Sequence, residues 1–221
     1  MEITPIATFH SPFASKFGIP KQSGLVSALC GEIIFEPPFR NRDVLRGIES
    51  FDYLWLIWGF SGNGERHGFS PLVRPPLLGG NTRMGVFATR SPFRPNPLGL
   101  SSVRLDHIEE RPCGPVIVVR GADLMDGTPI YDIKPYVTFV DSHADARSGF
   151  VDTHPLKRLQ VVFPDEFAQK RDADELRLLR QILELDPRPH YQHDAERVYG
   201  MTFNDEDIHF RVEADTLYVL D

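Results

Sequence analysis

Apolar residues fall along the first 140 positions in short clusters separated by Gly and Pro. Ile3–Phe9, Gly31–Phe35, Tyr53–Phe60, Met84–Ala88, Leu100–Ile108, Val116–Arg120 and Ile130–Val140 are rich in Val, Ile, Phe and Tyr, are bounded by turn residues, and predict strands. One helix is predicted among them, Asp43–Phe51, with Asp43 as cap and Val44, Leu45, Ile48 and Phe51 on one face. Short strands with little helix between them predict a mainly β barrel or sandwich rather than a parallel βαβ sheet. The aromatic run Tyr53–Phe60 predicts a central strand buried on both faces, with Trp55 and Trp58 in the core. Phe60, which meets Gly59 and Ser61 where the strand ends, is expected either in the core or as a platform on which a ligand stacks.

The pattern then changes. Residues 141–163 mix small, polar and Pro residues with one apolar run, which predicts a linker and a strand, and the chain divides near residue 145. From Asp165 to Leu185 the spacing of Phe167, Leu176, Leu179, Ile182 and Leu183 predicts one amphipathic helix, stopped by Pro187 and Pro189. Strands follow at Val198–Phe203, Ile208–Val212 and Thr216–Leu220, so residues 146–221 form a small α+β unit after a β unit of residues 1–145.

Composition narrows the classes. With 41% hydrophobic and 25% charged residues in 221, the chain is an ordinary folded protein, neither disordered nor collagenous. Its longest apolar run, Tyr53–Phe60, is far short of a membrane span, and no basic segment precedes an apolar one at the N-terminus. Cys30 and Cys113 make neither a disulfide framework nor a CxxC pair, and a cytoplasmic protein is expected. The net charge of −7 is uneven: +1 over residues 1–140 and −8 over residues 141–221. Between Arg66 and Arg104 there are six Arg (66, 74, 83, 90, 94, 104) and no acid, so a local anion site is expected despite the acidic total.

Two segments carry candidate chemistry. Val73–Ser102 is dense in Pro and Gly yet holds Val86, Phe87, Phe93, Leu98 and Leu100, which describes a rigid Arg-bearing loop able to hold an anion or a planar ligand, or else a barrel corner. Asp123–Pro135 places Asp123, Asp126 and Asp132 around an Asp-Gly turn; the EF-hand spacing is not met, and no metal is expected. The eight His show no HExxH arrangement, and GxSxG, GxxxxGK[ST] and GxGxxG are absent. A hydrolase elbow, a triphosphate loop and a Rossmann site lose their usual support.

Four motifs in order, SPFASKFGIPKQSG (11–24), DVLRGIESFDYLWLIWGF (43–60), VRPPLLGGNTRMGVFATRSPFRPNPLGLS (73–101) and DLMDGTPIYDIKPY (123–136), resemble the TrmO family, also known as TsaA-like proteins. The tail segment Asp186-Pro187-Arg188-Pro189 with Tyr191 is similar to the C-terminal domain of the longer bacterial members. The resemblance implies a single-β-barrel, non-Rossmann methyltransferase that uses S-adenosylmethionine to methylate N6 of N6-threonylcarbamoyladenosine, 3′ of the anticodon in threonine tRNA, and that works as a homodimer. Phe13, Lys21 and Ser23 stand where bacterial members are expected to carry Tyr, Arg and Pro.

Carried over motif by motif, the resemblance implies a donor site at Lys21, Gln22, Ser23, Phe60, Ser61, Arg90, Leu100, Met125, Asp126, Gly127 and Thr128. Backbone groups at 126–128 and the Gln22 amide would fix the donor's polar ends, with Phe60 and Leu100 as walls. Arg90, Arg94 and Lys134 are expected to contact tRNA or the threonyl carboxylate, since Arg matches such anions bidentately. The acceptor nitrogen is urea-like, so a base or oxyanion stabiliser helps, and Asp126 and Tyr136 are the candidates. The rival readings are a regulatory module that binds donor or tRNA without turnover, and a methyltransferase of the same fold with another acceptor.

Overall fold

Alternation of apolar and polar residues lets the N-terminal sheet close on itself. The computed structural model describes residues 2–62, 69–189 and 194–221. Its first strands are β1 (Ala7–His10), β2 (Cys30–Phe35), β3 (Tyr53–Gly59), the hairpin pair β4 (Leu72–Val73) and β5 (Met84–Gly85), β6 (Leu98–Arg111), β7 (Gly114–Arg120) and β8 (Thr128–Pro135). Six of them form a closed barrel in the order β1-β2-β7-β6-β3-β8, with β8 returning to β1 and every pairing antiparallel. A barrel this small is filled by side chains. Phe9, Ile33, Leu54, Leu56, Val103, Ile117 and Ile130 fill it, each side chain contributing about 1.5–3 kcal/mol by leaving water. Trp58 lies over Gly99, where a Cβ would come 2.2 Å from the indole, so only glycine permits this packing.

Several local expectations are corrected. Strand β3 is buried on one face only: Leu54, Leu56 and Trp58 point inward, while Tyr53, Trp55 and Ile57 line the outside. The predicted helix Asp43–Phe51 is two 3-10 turns, Arg42–Leu45 and Ile48–Ser50, parted at Gly47 with φ 90°. Its cap is Asn41, whose side chain accepts from the Asp43 amide at 2.9 Å. The run Met84–Ala88 is extended only at Met84–Gly85 and then turns as a 3-10 segment, Val86–Ala88. The run Ile130–Val140 leaves the barrel at Pro135, which lacks an amide donor, and ends as the short helix α1 (Thr138–Asp141).

The later unit holds α2 (Phe150–Thr153), β9 (Gln160–Val162), α3 (Asp165–Gln169), α4 (Ala173–Leu183), β10 (Tyr199–Phe203), β11 (Glu206–Glu213) and β12 (Thr216–Val219). Its sheet runs β10-β11-β12-β9, with β9 parallel to β12. The single helix predicted over 165–185 is broken between α3 and α4, because Asp172 caps α4 by accepting from the amides of Asp174 and Glu175. This sheet shares its core with the β1–β2 connection. Phe13, Val26 and Leu29 are buried with Phe167, Leu179, Ile182, Met201, Phe203 and Phe210, and Phe13 meets Phe203 edge-on at 5.4 Å. Among the described residues no helix is long and apolar enough to cross a membrane.

Candidate functional site

The connection between β1 and β2 is long because it does two things: its apolar residues enter the second core, and its polar turn, Lys21–Ser23, stays at the surface. The Gln22 side-chain oxygen accepts from the Arg90 guanidinium, and its amide nitrogen donates to the Lys21 carbonyl at 2.5 Å. Gln22 and Arg90 come from separate motifs, and the fold brings them together.

Behind this pair stands Asp123, on the segment between β7 and β8. Its carboxylate accepts from Ser101 Oγ at 2.6 Å, and Ser101 in turn accepts from the Trp58 indole N–H at 3.0 Å. Burial raises the Asp123 pKa, against the Ser101 hydrogen bond, the Arg90 charge and a backbone hydrogen bond from Ser23. A chain of polar contacts therefore leads from the barrel interior to Arg90, and Asp123 is a partly buried carboxyl kept beside cationic and amide groups. The sequence offered Asp123 as part of an acidic loop or of a capped hairpin turn, and Trp58 as core, which it is. The usable signal was that Asp123 and Ser101 lie inside the same two motifs as the expected site residues.

Phe60 and Met125 bound this region on the apolar side. The Phe60 ring meets Trp58 edge-on at 4.4 Å, and its amide donates to Pro97 at 3.0 Å. Ser61 is exposed just beyond. A Cβ at Gly62 would lie 3.3 Å from the Met125 side chain, so the end of β3 adjoins the Met125 turn. The turn itself is otherwise arranged than expected. The amides of Asp126, Gly127 and Thr128 donate to Phe13, Phe9 and Met125 carbonyls at 2.9, 2.9 and 3.3 Å, and the buried Thr128 hydroxyl also donates to Met125. These donors close the turn on itself or tie it to β1 and the residues after it instead of reaching outward, which leaves the Met125 side chain as what the turn offers a ligand.

The remaining expected residues disperse. The Asp126 carboxylate accepts from the Ser11 amide at 3.1 Å and lies 3.1 Å from His10 Nδ1, in a surface cleft of about 350 Å³ shared with Cys30, Glu32 and Asp205. Tyr136 follows the far end of β8 and packs on Tyr53 and Trp55 at 6.2 and 5.5 Å. Asp126 and Tyr136 are thus separated by the length of β8, roughly 26 Å at about 3.3 Å per residue, and do not meet at one acceptor. Lys134 is on the outer face opposite Trp55 and pairs with Asp132 at 2.8 Å. Leu100, 56% exposed, also lies on that outer face, opposite Ile57 and turned away from the inward Ser101. Arg94 is directed into its own loop, donating to the carbonyls of Thr89 and Val86 at 2.7 and 3.3 Å. The three loop acids do not converge: Asp123 binds Ser101, Asp126 faces His10 and Asp132 pairs with Lys134. Arg66, His67, His190, Tyr191 and His193 lie outside the described residues.

The C-terminal unit touches the site directly. Lys21 Nζ donates to the Asp186 main-chain carbonyl at 3.2 Å. Burial lowers the Lys21 pKa and the neighbouring Asp186 raises it. Asp186 holds a positive φ of 52°, unusual for a residue with a Cβ, while its carboxylate takes two hydrogen bonds at 2.9 Å from the Arg188 guanidinium. Burial opposes ionisation of Asp186, but Arg188 wins and its pKa is lowered. Asp186 belongs to the tail motif, but its contact with Lys21 has no local signal, since no pattern marks a pairing so distant along the chain.

Comparison with known proteins places these features in a family. Residues 8–142 match the tRNA-methyltransferase O N-terminal domain, and residues 156–221 match the TrmO C-terminal domain. The tRNA (adenine(37)-N6)-methyltransferase of Escherichia coli strain K12 is 39% identical over 215 residues, 94% of this chain and 91% of that protein. The putative S-adenosylmethionine-dependent methyltransferase RcsF of Pseudomonas aeruginosa PAO1 is 39% identical over 228 residues, 99% of this chain and 96% of that protein. A crystal structure of TrmO from Pseudomonas aeruginosa aligns with a TM-score of 0.79 at 33% identity, covering 100% of this chain and 97% of that one. Matched in both halves by the family's own domains and over nearly its whole length by these relatives, the chain belongs to the TrmO family.

Proposed function

We propose that the chain transfers a methyl group from S-adenosylmethionine to N6 of adenosine 37 in tRNA, with N6-threonylcarbamoyladenosine in threonine tRNA as the acceptor. The observation that carries this reading is the meeting of Gln22, Ser23, Arg90 and Asp123, drawn from three of the motifs, at the end of the barrel where Phe60 and Met125 form the apolar side. The residues fit such a donor. Arg90 suits its carboxylate, Asp123 its ammonium, and Phe60 its adenine ring. When bound, the donor supplies a methyl on a sulfonium. Its transfer forms an N–C bond, breaks the S–C bond and releases the N6 proton. The protein's part is mainly alignment, worth up to about 7–11 kcal/mol in well-oriented reactions. Asp126 with His10 beside it is our candidate for taking the proton, and Tyr136, at the other end of β8, is dropped.

Residues 1–145 act on this reading as the donor-binding and catalytic barrel, and residues 146–221 as the unit that braces its Lys21–Ser23 turn. Two copies pair as a homodimer, consistent with exposed Leu100 and Tyr53 and half-buried Ile57 on one barrel face, and the protein works in the cytoplasm. The test is incubation with labelled S-adenosylmethionine and tRNA from cells with and without the threonylcarbamoyl modification, followed by nucleoside mass analysis. Methyl gain on threonylcarbamoyladenosine alone is expected. Donor binding without transfer to either tRNA would replace this reading with that of a non-catalytic module.

A further inference from the structure

The 3-10 turn Val86–Ala88 exposes an aromatic ring on a rigid base. Val86 is buried, its amide donates to Pro71 at 2.9 Å, and its carbonyl takes the Thr89 amide and hydroxyl at 3.2 and 2.9 Å. Phe87, next to it, is 74% exposed. Arg94 reaches back under the turn, bonds the Thr89 and Val86 carbonyls, and holds its guanidinium carbon 5.7 Å from the Phe87 ring centre. An apolar ring in water with its conformation fixed is unfavourable unless something covers it, and fixed rings lose little entropy when they bind.

The charge around it says what covers it. Residues 69–104 contain no acid, and Arg74 and Arg83, at the inner ends of the β4–β5 pair that leads into the turn, and Arg94, against the ring itself, form no salt bridge among the described residues. Uncompensated cations beside an exposed aromatic are the equipment of a single-stranded nucleic-acid site, where bases stack and phosphates meet guanidinium groups. Phe139, even more exposed at 87%, lacks this setting, since its own short helix ends in Asp141. Phe87 is also close to the donor cluster, three residues before Arg90, which binds Gln22.

We propose that Phe87 is a stacking platform for an unpaired base of the RNA substrate, a binding residue that Arg94 positions from behind. The proposal rests on the tRNA reading above and names a contact within it. Stacking on an aromatic contributes about 1–3 kcal/mol per base, so F87A weakens RNA binding roughly five- to hundredfold. The experiment measures three quantities for the wild type, F87A and F87W: the Kd for a synthetic anticodon stem-loop RNA, the Kd for S-adenosylmethionine, and the sedimentation coefficient. F87A is expected to lose RNA affinity, F87W to retain it, and donor affinity and mass to stay constant in all three. Equal RNA affinity in F87A, no RNA binding by the wild type, or a change of oligomeric state in F87A overturns the proposal, the last by showing that a protein covers the ring. Stem-loop binding that depends on Phe87, without methyl transfer to any tRNA, would remove the functional reading and keep the stacking contact.

Discussion

Lys21 and Asp186, 165 residues apart, are joined by a single hydrogen bond from the Lys21 ammonium to the Asp186 carbonyl. That carbonyl is aimed by an unusual backbone conformation, held in turn by the Arg188 clamp on the Asp186 carboxylate. Besides the shared core, the acidic unit thereby meets the Lys21–Ser23 turn through one oriented peptide group. D186G permits the positive φ but removes the clamp, while D186A removes the clamp and strains the backbone as well. Both should weaken S-adenosylmethionine binding about tenfold, about 1.4 kcal/mol, with D186A also lowering thermal stability. Calorimetric titration and a melting curve separate the two effects; wild-type donor affinity in D186G would show that the clamp is dispensable.

Asp123 is a carboxyl whose pKa burial raises. A raised folded-state pKa adds stability below the ordinary carboxyl range, and that stability is lost as pH rises through the folded value. At neutral pH the ionised form is therefore an internal cost. D123N should raise Tm at pH 7 by about 2–4 °C, the shift of 1 kcal/mol in a chain of this size, with the difference vanishing in acid. Methyl transfer should fall at the same time. A variant both less stable and fully active would contradict the placement of Asp123 in the site.

Arg90 meets Gln22 from a loop held in place by buried Val86 and by the Arg94 hydrogen bonds to the Thr89 and Val86 carbonyls. R90K keeps the charge but loses the planar fork, and hydrogen bonds to charged groups contribute about 1.5–3 kcal/mol. Donor Kd should rise roughly tenfold or more in R90K, with Tm unchanged because Arg90 is exposed. Arg94 differs: since it binds its own loop's carbonyls, R94K should lower Tm more than it changes donor affinity.

On the barrel wall, Asp106 accepts from Arg120 and faces His107, and these partners hold its pKa at about 2, below the ordinary 3.8. A depressed carboxyl adds stability above its ordinary value and loses it as pH falls through the folded value. Acid unfolding should therefore steepen between about pH 4 and pH 2, and D106N should flatten that part of the curve. An unchanged acid limb in D106N would show that the exposed network is too screened to matter.

Much of the barrel was legible because period-two alternation and Gly-Pro punctuation are local signals. The same signals misread Trp55, since a run of aromatics looks alike whether its second face is buried or merely exposed; here Trp55 lies outside and donates to Asp141 at 3.1 Å. The Asp43–Phe51 pattern satisfied a helical face, but Gly47 could take a positive φ and divide it. Gln22 and Arg90, expected together on motifs alone, are brought into contact by the fold. Motif membership did not reveal direction: Tyr136 and Leu100 share segments with site residues and point to the outer face. Asp186 was marked by the tail motif, but nothing local marked its partner Lys21.

Phe13, Val26 and Leu29 sit in the core of the second sheet while the turn between them carries Gln22 and Ser23. Occupancy of the turn and integrity of that sheet are consequently linked equilibria, and linkage works in both directions. Saturation with donor should slow amide exchange in β10 and β11, and a destabilised β11 should loosen the donor.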